Sequence, residues 1–317
     1  MRGALFGLLL ILAGCSTRYA EFTLPDPGQP KDVRWEWSAN PEPVLRRGSW
    51  QPYDAKDALN PSLVIHHGVL LNVYSGFDGR TWHTLTSPRF GMMSPDPDTW
   101  EGDYIAANGS ALEDGPSLLY WYQAGGRTPR IGMARDWRKR TAPVLELGPR
   151  GAWDERGVAD PYVIREGDWL YMYFLGQDRA RRQRLGVARS RDGINWQKLR
   201  GNPILEVGLD GAFDENGLGE PAVWKSHGSW WMLYTGRDRR EYRRMGLARS
   251  HDGVHWDRVP SPVISGEHEW DNKVVCDPSV MANGDTVRVW FGGGDVARPD
   301  ENLNGQIGYG ELKAVMR

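Results

Sequence analysis

One strand sequence recurs four times along the chain, and this repeat limits the possible folds more than any other feature. Its two full copies are Arg184–Gly193 and Arg244–Gly253, and two shorter copies are Arg130–Arg135 and Gln306–Gly310. The copies are centred on glycines that lie 54 to 62 residues apart, namely Gly132, Gly186, Gly246 and Gly308. Such a period is typical of folds in which each repeat buries its apolar face against its neighbours.

Each repeat also carries further short segments with the pattern of β-strands. A strand opened by an acid and a proline begins at Asp160, Glu220 and Asp277; Asn60 opens an earlier relative, and Asn108 a less regular one without the proline. An aromatic strand ending in glycine follows, and a Trp-led strand closes the better-preserved repeats. Four strands per repeat are typical of a propeller blade. The sequence therefore predicts an all-β fold, a five-bladed β-propeller.

The last repeat needs a strand from the start of the chain. After Gln306 there is room for a third strand of the last blade but not for a fourth. Residues 35–45 share the Trp, Asn-Pro and Pro-Val-Leu features of the closing strands. We therefore expect the ring to be closed by the N-terminal segment, which supplies the outer strand of the last blade and so removes exposed sheet edges. An open pair of β-sandwich sheets is the alternative, although sandwiches do not require a nearly identical repeated strand.

The amino terminus has the pattern of a targeting segment. Arg2 is followed by an apolar run, residues 4–12, that is too short to span a bilayer as a helix and fits a secretory signal. The end of this run, Leu12-Ala13-Gly14-Cys15, resembles the bacterial lipobox, which implies cleavage before Cys15 and lipidation of its thiol. A plain signal peptide followed by a chance cysteine is the alternative.

Three segments of the chain are therefore expected. They are a lipoprotein signal peptide over 1–14, the lipidated cysteine with a proline-containing tether over 15–33, and the propeller over 34–317. This organisation predicts a lipid-anchored protein of the bacterial cell envelope. Residue 16 is Ser and not Asp, which, by the sorting pattern of such lipoproteins in a Gram-negative host, implies the outer membrane, facing the periplasm.

Charge and motif content argue against several other functions. The formal net charge is −2, whereas a nucleic-acid-binding protein is normally basic. The two cysteines cannot build a disulfide scaffold or a zinc ribbon, and the seven histidines lack metal-ligand spacing. We therefore expect no metal, no other cofactor and no nucleic-acid partner, with membrane contact through the lipid anchor only. Cys276 is expected to be a small buried hydrophobe.

The strand-opening acids are the candidate catalytic residues. In a propeller the first strand of every blade starts at the same face of the ring, so Asp160, Glu220 and Asp277 should meet in one axial funnel. Converging carboxylates can supply acid and base chemistry on a glycosidic bond, and crowding with burial raises the pKa of at least one of them. The alternative interpretation is structural, with each acid capping backbone N–H groups at a turn.

Other residues near this face are candidate substrate contacts. They are Asn60, Asn108 and Tyr162 at strand starts, and Arg181 and Arg240 in two arginine-rich loops. Those loops either grip an anionic group such as a uronate, sulfate or phosphate, or form a solvated, partly acid-paired rim. The repeated aromatic-Asp pairs, such as Trp153-Asp154 and Trp270-Asp271, are interpreted mainly as loop fasteners, with a substrate-facing role as the alternative.

These motifs resemble the five-bladed propeller glycoside hydrolases, which include families 43, 32 with 68, and 130. The resemblance covers about residues 35–317 and rests on the acid-proline strands and the Gly-x-Ala-Arg strands. It implies that Glu220 is similar to the family's general acid and Asp160 to its second acid, with Asp277 as a further modulator or base. Where the family has an Asp base in the first blade, this chain has Asn60, which cannot ionise; Asp54 or Asp57 is a possible substitute.

Two functions remain open from the sequence. The first is a lipid-anchored enzyme that cleaves glycosidic bonds in a poly- or oligosaccharide. The second is a propeller that binds or scaffolds glycans without catalysis. Both have a carbohydrate as the expected partner.

Overall fold

A computed structural model describes residues 18–316. The regular secondary structure of these residues consists of β-strands, and no helix within them has the length and apolarity needed to cross a bilayer. The predicted signal peptide, Cys15 and Arg317 lie outside the described residues.

Twenty strands make up the described chain. In chain order they are β1 (Tyr19–Ala20), β2 (Val33–Ala39), β3 (Asp57–His66), β4 (Val69–Phe77), β5 (Trp82–Ser87), β6 (Ala106–Asp114), β7 (Ser117–Ala124), β8 (Arg130–Arg135), β9 (Arg138–Lys139), β10 (Gly157–Glu166), β11 (Trp169–Gln177), β12 (Gln183–Ser190), β13 (Gln197–Leu199), β14 (Gly217–Ser226), β15 (Ser229–Arg237), β16 (Arg243–Ser250), β17 (Asp257–Arg258), β18 (Val274–Asn283), β19 (Thr286–Gly294) and β20 (Gln306–Met316).

The repeats of the sequence appear as antiparallel sheets. One sheet has the order β3-β4-β5, a second β6-β7-β8-β9, and a third β10-β11-β12-β13 with β1 added at its outer edge. The remaining strands form one eight-stranded sheet, in which β16 and β18 are joined by a single residue pair, Arg243 and Val274. The inner strands contact one another in the order β3, β6, β10, β14, β18, and β18 in turn contacts β3. The all-β prediction is confirmed, and the inner strands surround a common axis.

The N-terminal segment supplies the outer strand of the last repeat, as predicted. β2 pairs antiparallel with β20 over seven residues, from Val33 opposite Met316 to Ala39 opposite Gly310. The continuous strand covers 33–39. The pairing is interrupted after Asn40, where Pro41 has no N–H to donate, and it resumes at Leu45, which bridges Ile307 of β20, so the predicted segment 35–45 follows this edge to its end.

The segment expected to be a tether lies along the domain from Tyr19 onward. Tyr19 and Ala20 pair in parallel with Lys198 and Leu199 of β13. Leu24 is only 3% exposed and belongs to a core cluster that includes side chains of β11, β12, β14 and β15. The tether prediction therefore does not hold for these residues, because apolar side chains and backbone pairing keep them on the surface of the sheets.

Each inner strand carries a β-bulge at the position singled out by the sequence. The pairing with the second strand shifts register there, and the residue takes a left-handed φ of 47° to 55°. The five residues are Asn60, Asn108, Asp160, Glu220 and Asp277. A bulge redirects a side chain out of the regular alternation of the strand, and bulges are common next to functional sites.

The aromatic-Asp pairs fasten loops, as their main interpretation predicted. The Trp153 ring lies against Gly176 and Gly186 so closely that a Cβ at either glycine would come within 2.1–2.5 Å of it. Asp154 is 1% exposed and accepts a hydrogen bond from the Lys198 ammonium. Both side chains are thus committed to packing and to a buried ion pair.

Candidate functional site

The five bulge residues line one pocket on the axis. Its walls are Asn60, Pro61, Ser62, Asn108, Gly109, Asp160, Pro161, Tyr162, Glu220, Pro221, Asp277 and Pro278. All three predicted catalytic acids and three of the five predicted substrate contacts therefore meet at one place. The repeated strand start, together with the bulge, explains why residues about 60 positions apart in sequence converge.

Asp277 is the most deeply buried of the three acids, at 5% exposure. Its Oδ2 accepts hydrogen bonds from the Asn60 N–H (3.1 Å) and the Cys276 thiol (3.1 Å). Its own N–H donates to Thr235 Oγ1 at 3.2 Å. Burial, followed by the nearby Glu220 carboxylate, raises the pKa of Asp277 well above its ordinary value. Its surroundings therefore favour the protonated form of Asp277.

Asp160 is partly exposed to the pocket. Burial and then the charge of Glu220 raise its pKa from 3.8 to about 8, against the opposing effects of the Asn108 side chain and Arg243. Asn108 is fixed in turn by Ser75, whose hydroxyl donates to Asn108 Oδ1 at 3.0 Å and accepts from the Asn108 N–H at 2.9 Å. Asp160 is thus a carboxyl group that carries a proton near neutral pH and faces the pocket.

Glu220 lies between the other two acids. Its Oε2 is buried and has no hydrogen-bond partner among the described residues. One ligand atom from each of Glu220, Cys276 and Asp277 lies within 4.8 Å of the others, so these three could hold a metal ion. The same carboxylates face the buried Arg243 cation, which competes with any metal ion for them.

Arg243 is the functional residue that the sequence reasoning did not single out. It is 8% exposed, and its Nη2 donates to the carbonyl oxygens of Arg298 (3.2 Å) and Pro299 (2.5 Å). Burial opposes its charge, but Cys276, Glu220 and Asp277 raise the pKa of Arg243 above its ordinary value. A signal did exist, because the equivalent position is a neutral glutamine, Gln183, in the third repeat and a glycine, Gly305, in the last repeat.

The two arginines predicted to contact substrate do not line the pocket. Arg240 is exposed, pairs with Asp238 at 3.3 Å and stacks over the Tyr242 ring at 4.9 Å. Arg181 is exposed at a left-handed turn with φ 62°. Neighbouring arginines are also paired, for example Arg182 with Asp178 at 2.8 Å. The rim interpretation describes these loops better, because local acids already neutralise much of their charge.

Neither Asp54 nor Asp57 supplies the base that is missing from the first repeat. Asp54 is fully buried; it accepts hydrogen bonds from the Tyr74 hydroxyl (3.0 Å) and the Trp50 N–H (2.9 Å). Asp57 is fully buried and accepts three backbone N–H groups from residues 302–305. Neither lines the pocket, so Asn60 remains a neutral residue at its position.

A protein-family model matches part of the chain. The model is that of the glycosyl hydrolases family 32 N-terminal domain, and it matches residues 135–277. The match begins in the second repeat and ends at Asp277, so it includes the three pocket acids.

Curated relatives are similar over a shorter span. An uncharacterised protein of Mycobacterium tuberculosis is 30% identical over 160 residues, which are 47% of this chain and 52% of that protein. A 1,2-beta-oligomannan phosphorylase of Thermoanaerobacter sp. (strain X514) is 28% identical over 126 residues, which are 37% of this chain and 41% of that protein. The chain thus matches about half the length of these relatives, or less.

Solved structures are similar over nearly the whole chain. A family 117 glycoside hydrolase from the marine bacterium Zobellia galactanivorans has a TM-score of 0.65 and 15% identity, and covers 90% of this chain and 91% of its own. A thermostable family-43 glycoside hydrolase has a TM-score of 0.58 and 14% identity, and covers 82% and 89%. Together with the family 32 match, these structures confirm the resemblance inferred from the repeated strands: the fold is that of the β-propeller glycoside hydrolases.

Proposed function

We propose that this protein cleaves glycosidic bonds in a poly- or oligosaccharide, with its axial pocket as the active site. The observation that carries the proposal is the convergence of Asp160, Glu220 and Asp277 at one pocket, with the pKa values of Asp160 and Asp277 raised above 3.8. Protonation of the leaving oxygen is the step that every such enzyme must perform, and a carboxyl group still protonated near neutral pH can perform it.

Electrostatics favour Asp160 as the proton donor. The pKa of Asp277 is also raised, but its carboxyl group is enclosed by Asn60 and Cys276, whereas Asp160 is partly exposed to the pocket. In this scheme Asp160 gives its proton to the leaving oxygen. Where water attacks, Glu220 takes the proton that the water releases and passes it to Asp160, which restores the donor. The general acid is therefore assigned to Asp160 in place of Glu220.

The attacking group need not be activated by a residue at position 60. Asn60 cannot act as a base, and Asp54 and Asp57 are held elsewhere. Glu220 could activate water, or inorganic phosphate could attack without a protein base, as the likeness to an oligomannan phosphorylase suggests. We therefore propose bond cleavage as the function and leave the attacking group to experiment.

The second candidate is glycan binding without cleavage. It is favoured by Asn60 and Asn108, which make two of the five pocket positions neutral hydrogen-bonding amides. In that case the pocket would recognise sugar hydroxyls, and substitution of Asp160 would change affinity alone.

Sugar release from a panel of neutral and acidic glycans, with and without inorganic phosphate, distinguishes these candidates. Asp160→Asn and Glu220→Gln should each lose at least about a hundredfold in rate, while Asp210→Asn, whose side chain is 91% exposed, should retain full activity. Binding without release by the wild type would replace the enzyme proposal with the second candidate. Acidic glycans are included because Arg181 is exposed on a neighbouring loop and makes no ion pair with the described residues.

We also propose five blades in a closed ring. Five inner strands share the bulge and its left-handed residue, and they contact one another in cyclic order. The two halves of the eight-stranded sheet are then separate blades that touch at Arg243 and Val274.

The lipid anchor at Cys15 remains a proposal that rests on the lipobox-like residues 12–15. Mass spectrometry of the protein extracted from envelope fractions should show a diacylglycerol-modified Cys15 at the amino terminus. An unmodified chain that still begins with Met1 would contradict it.

A further inference from the structure

The face opposite the acid pocket, called here the far face, carries an equivalent turn in each repeat. Each turn follows its pocket residue by seven positions, roughly 20 Å along an extended strand. The residue there takes a left-handed φ of 50° to 60° in all five, namely His67, Gly115, Gly167, His227 and Gly284. These turns can therefore be compared position by position.

In three of these turns a charged residue lies against a polar side chain of the preceding repeat. The pairs are Glu113 with His66 (3.5 Å), Arg165 with Asp114 (2.9 Å) and Lys225 with Glu166 (2.7 Å). The equivalent residue of the first repeat is Ile65, which is 49% exposed. The first turn thus lacks the charged residue of the second, third and fourth turns, as does the last turn, where the position is Ala282.

Exposed apolar side chains lie on both sides of this first hairpin of the far face. Ile65 lies opposite Leu70 (41% exposed), and Val69 (52% exposed) lies opposite His66. Phe90, in the connection after β5, is 60% exposed, and its ring lies 5.9 Å from His66. A group of exposed apolar residues is atypical of a free surface and typical of a contact with another apolar phase or protein.

The start of the described chain reaches the same face. β1 runs parallel to β13, which begins just after the turn at 191–195 on the far face. The chain then crosses two more far-face turns, where the Leu24 N–H donates to the Asp252 carbonyl (2.7 Å) and the Lys31 N–H to the His227 carbonyl (3.0 Å). Cys15 precedes Arg18 by three residues, a reach of at most about 10 Å. A lipid at Cys15 would therefore hold this face near the bilayer.

We propose that the apolar group formed by Ile65, Val69, Leu70 and Phe90 docks on the lipid bilayer that holds the chain's own anchor. This proposal rests on the lipid anchor proposed above. A single lipid anchor beside the third repeat would leave the domain free to tilt relative to the membrane. A second contact at the first repeat fixes the far face against the membrane, so that the acid pocket opens away from the lipid.

Site-specific fluorescence on the lipidated protein tests this orientation. Phe90→Cys and, as a second position, Val69→Cys are labelled with an environment-sensitive fluorophore. Leu209→Cys is the matched control, because Leu209 is 87% exposed in a loop on the pocket side. Cys276 is fully buried and is not expected to react. The proteins are reconstituted into vesicles of phosphatidylethanolamine and phosphatidylglycerol, with and without brominated acyl chains.

We expect a blue shift at positions 90 and 69 on reconstitution and a loss of emission with brominated lipid, and neither change at position 209. The proposal would be overturned if the fluorophore emission indicated equal exposure to water at all three positions. So would a blue shift at position 90 that needs no vesicles and grows with protein concentration, since that would show contact with a second copy. Mass spectrometry of Cys15 reports on the anchor separately, and sugar release reports on the pocket.

Discussion

Replacing the proton-holding acid of the pocket should stabilise the protein, and Asp160→Asn tests this. The folded-state pKa of Asp160 is about 8, against 3.8 for the ordinary carboxyl. Between these values the folded protein keeps a proton that the unfolded chain releases, so each pH unit lowers the free energy of unfolding by about 1.4 kcal/mol. At pH 7 this one carboxyl group can therefore lower the free energy of unfolding by about 4 kcal/mol in total. An Asn side chain has nearly the same shape and pays no such penalty.

Urea denaturation followed by tryptophan fluorescence measures the effect, since the chain contains 16 Trp. We expect Asp160→Asn to exceed the wild type by about 2–4 kcal/mol at pH 7 and by no more than about 0.5 kcal/mol at pH 4, close to the ordinary carboxyl pKa of 3.8. The variant therefore becomes more stable than the wild type as pH rises. This direction is the one expected when folding raises the pKa of an acid. The exposed control variant, Asp210→Asn, should have the same urea denaturation curve as the wild type. A variant that is less stable at pH 7, or a difference that does not vary with pH, would refute the reasoning.

Three further substitutions test other parts of the fold. Lys198→Met should cost about 3–5 kcal/mol, because it leaves the buried Asp154 carboxylate without its cation; the urea midpoint measures this loss. Leu24→Ala should cost about 2–4 kcal/mol in the same assay if the segment before β2 is part of the core, whereas Leu209→Ala should stay within about 0.5 kcal/mol. Arg243→Met should cost about 3–5 kcal/mol at pH 6 and more at pH 9, because this cation lowers the pKa of Asp160, which at about 8 lies between these two pH values; an equal loss at both pH values would contradict its electrostatic role.

The repeat made the ring of acids predictable, because equivalent positions in repeated strands must occupy equivalent places around an axis. Asp160, Glu220 and Asp277 met for that reason. The sequence did not reveal the left-handed bulge that turns them into the pocket, since that conformation is normally associated with glycine and appears here at acids and amides.

The arginines show the limit of the same reasoning. Arg243 and Arg244 are adjacent in sequence, and only the strand register shows that Arg243 turns toward the acids while Arg244 bonds to backbone carbonyls. Arg181 and Arg240 are predicted to bind substrate only because they are charged residues in loops. The direction in which such a charge points depends on local pairing, as between Arg240 and Asp238, and this pairing depends on the loop conformation. Cys276 was predicted to be buried, and it is, but its contact with Asp277 was not foreseen.

The five pocket positions act as controls for one another. Asn60 and Asn108 adopt the same left-handed backbone as the acids, so the bulge does not require a carboxylate. Asp160 and Asp277 carry raised pKa values, which means that folding works against their ionised form at neutral pH. Asp54 and Asp57, in contrast, accept hydrogen bonds that the fold needs. Folding alone does not explain these two acids, because an amide fits the same backbone and an acid lowers the stability there. Proton donation to a bound glycan, as proposed above, would explain them.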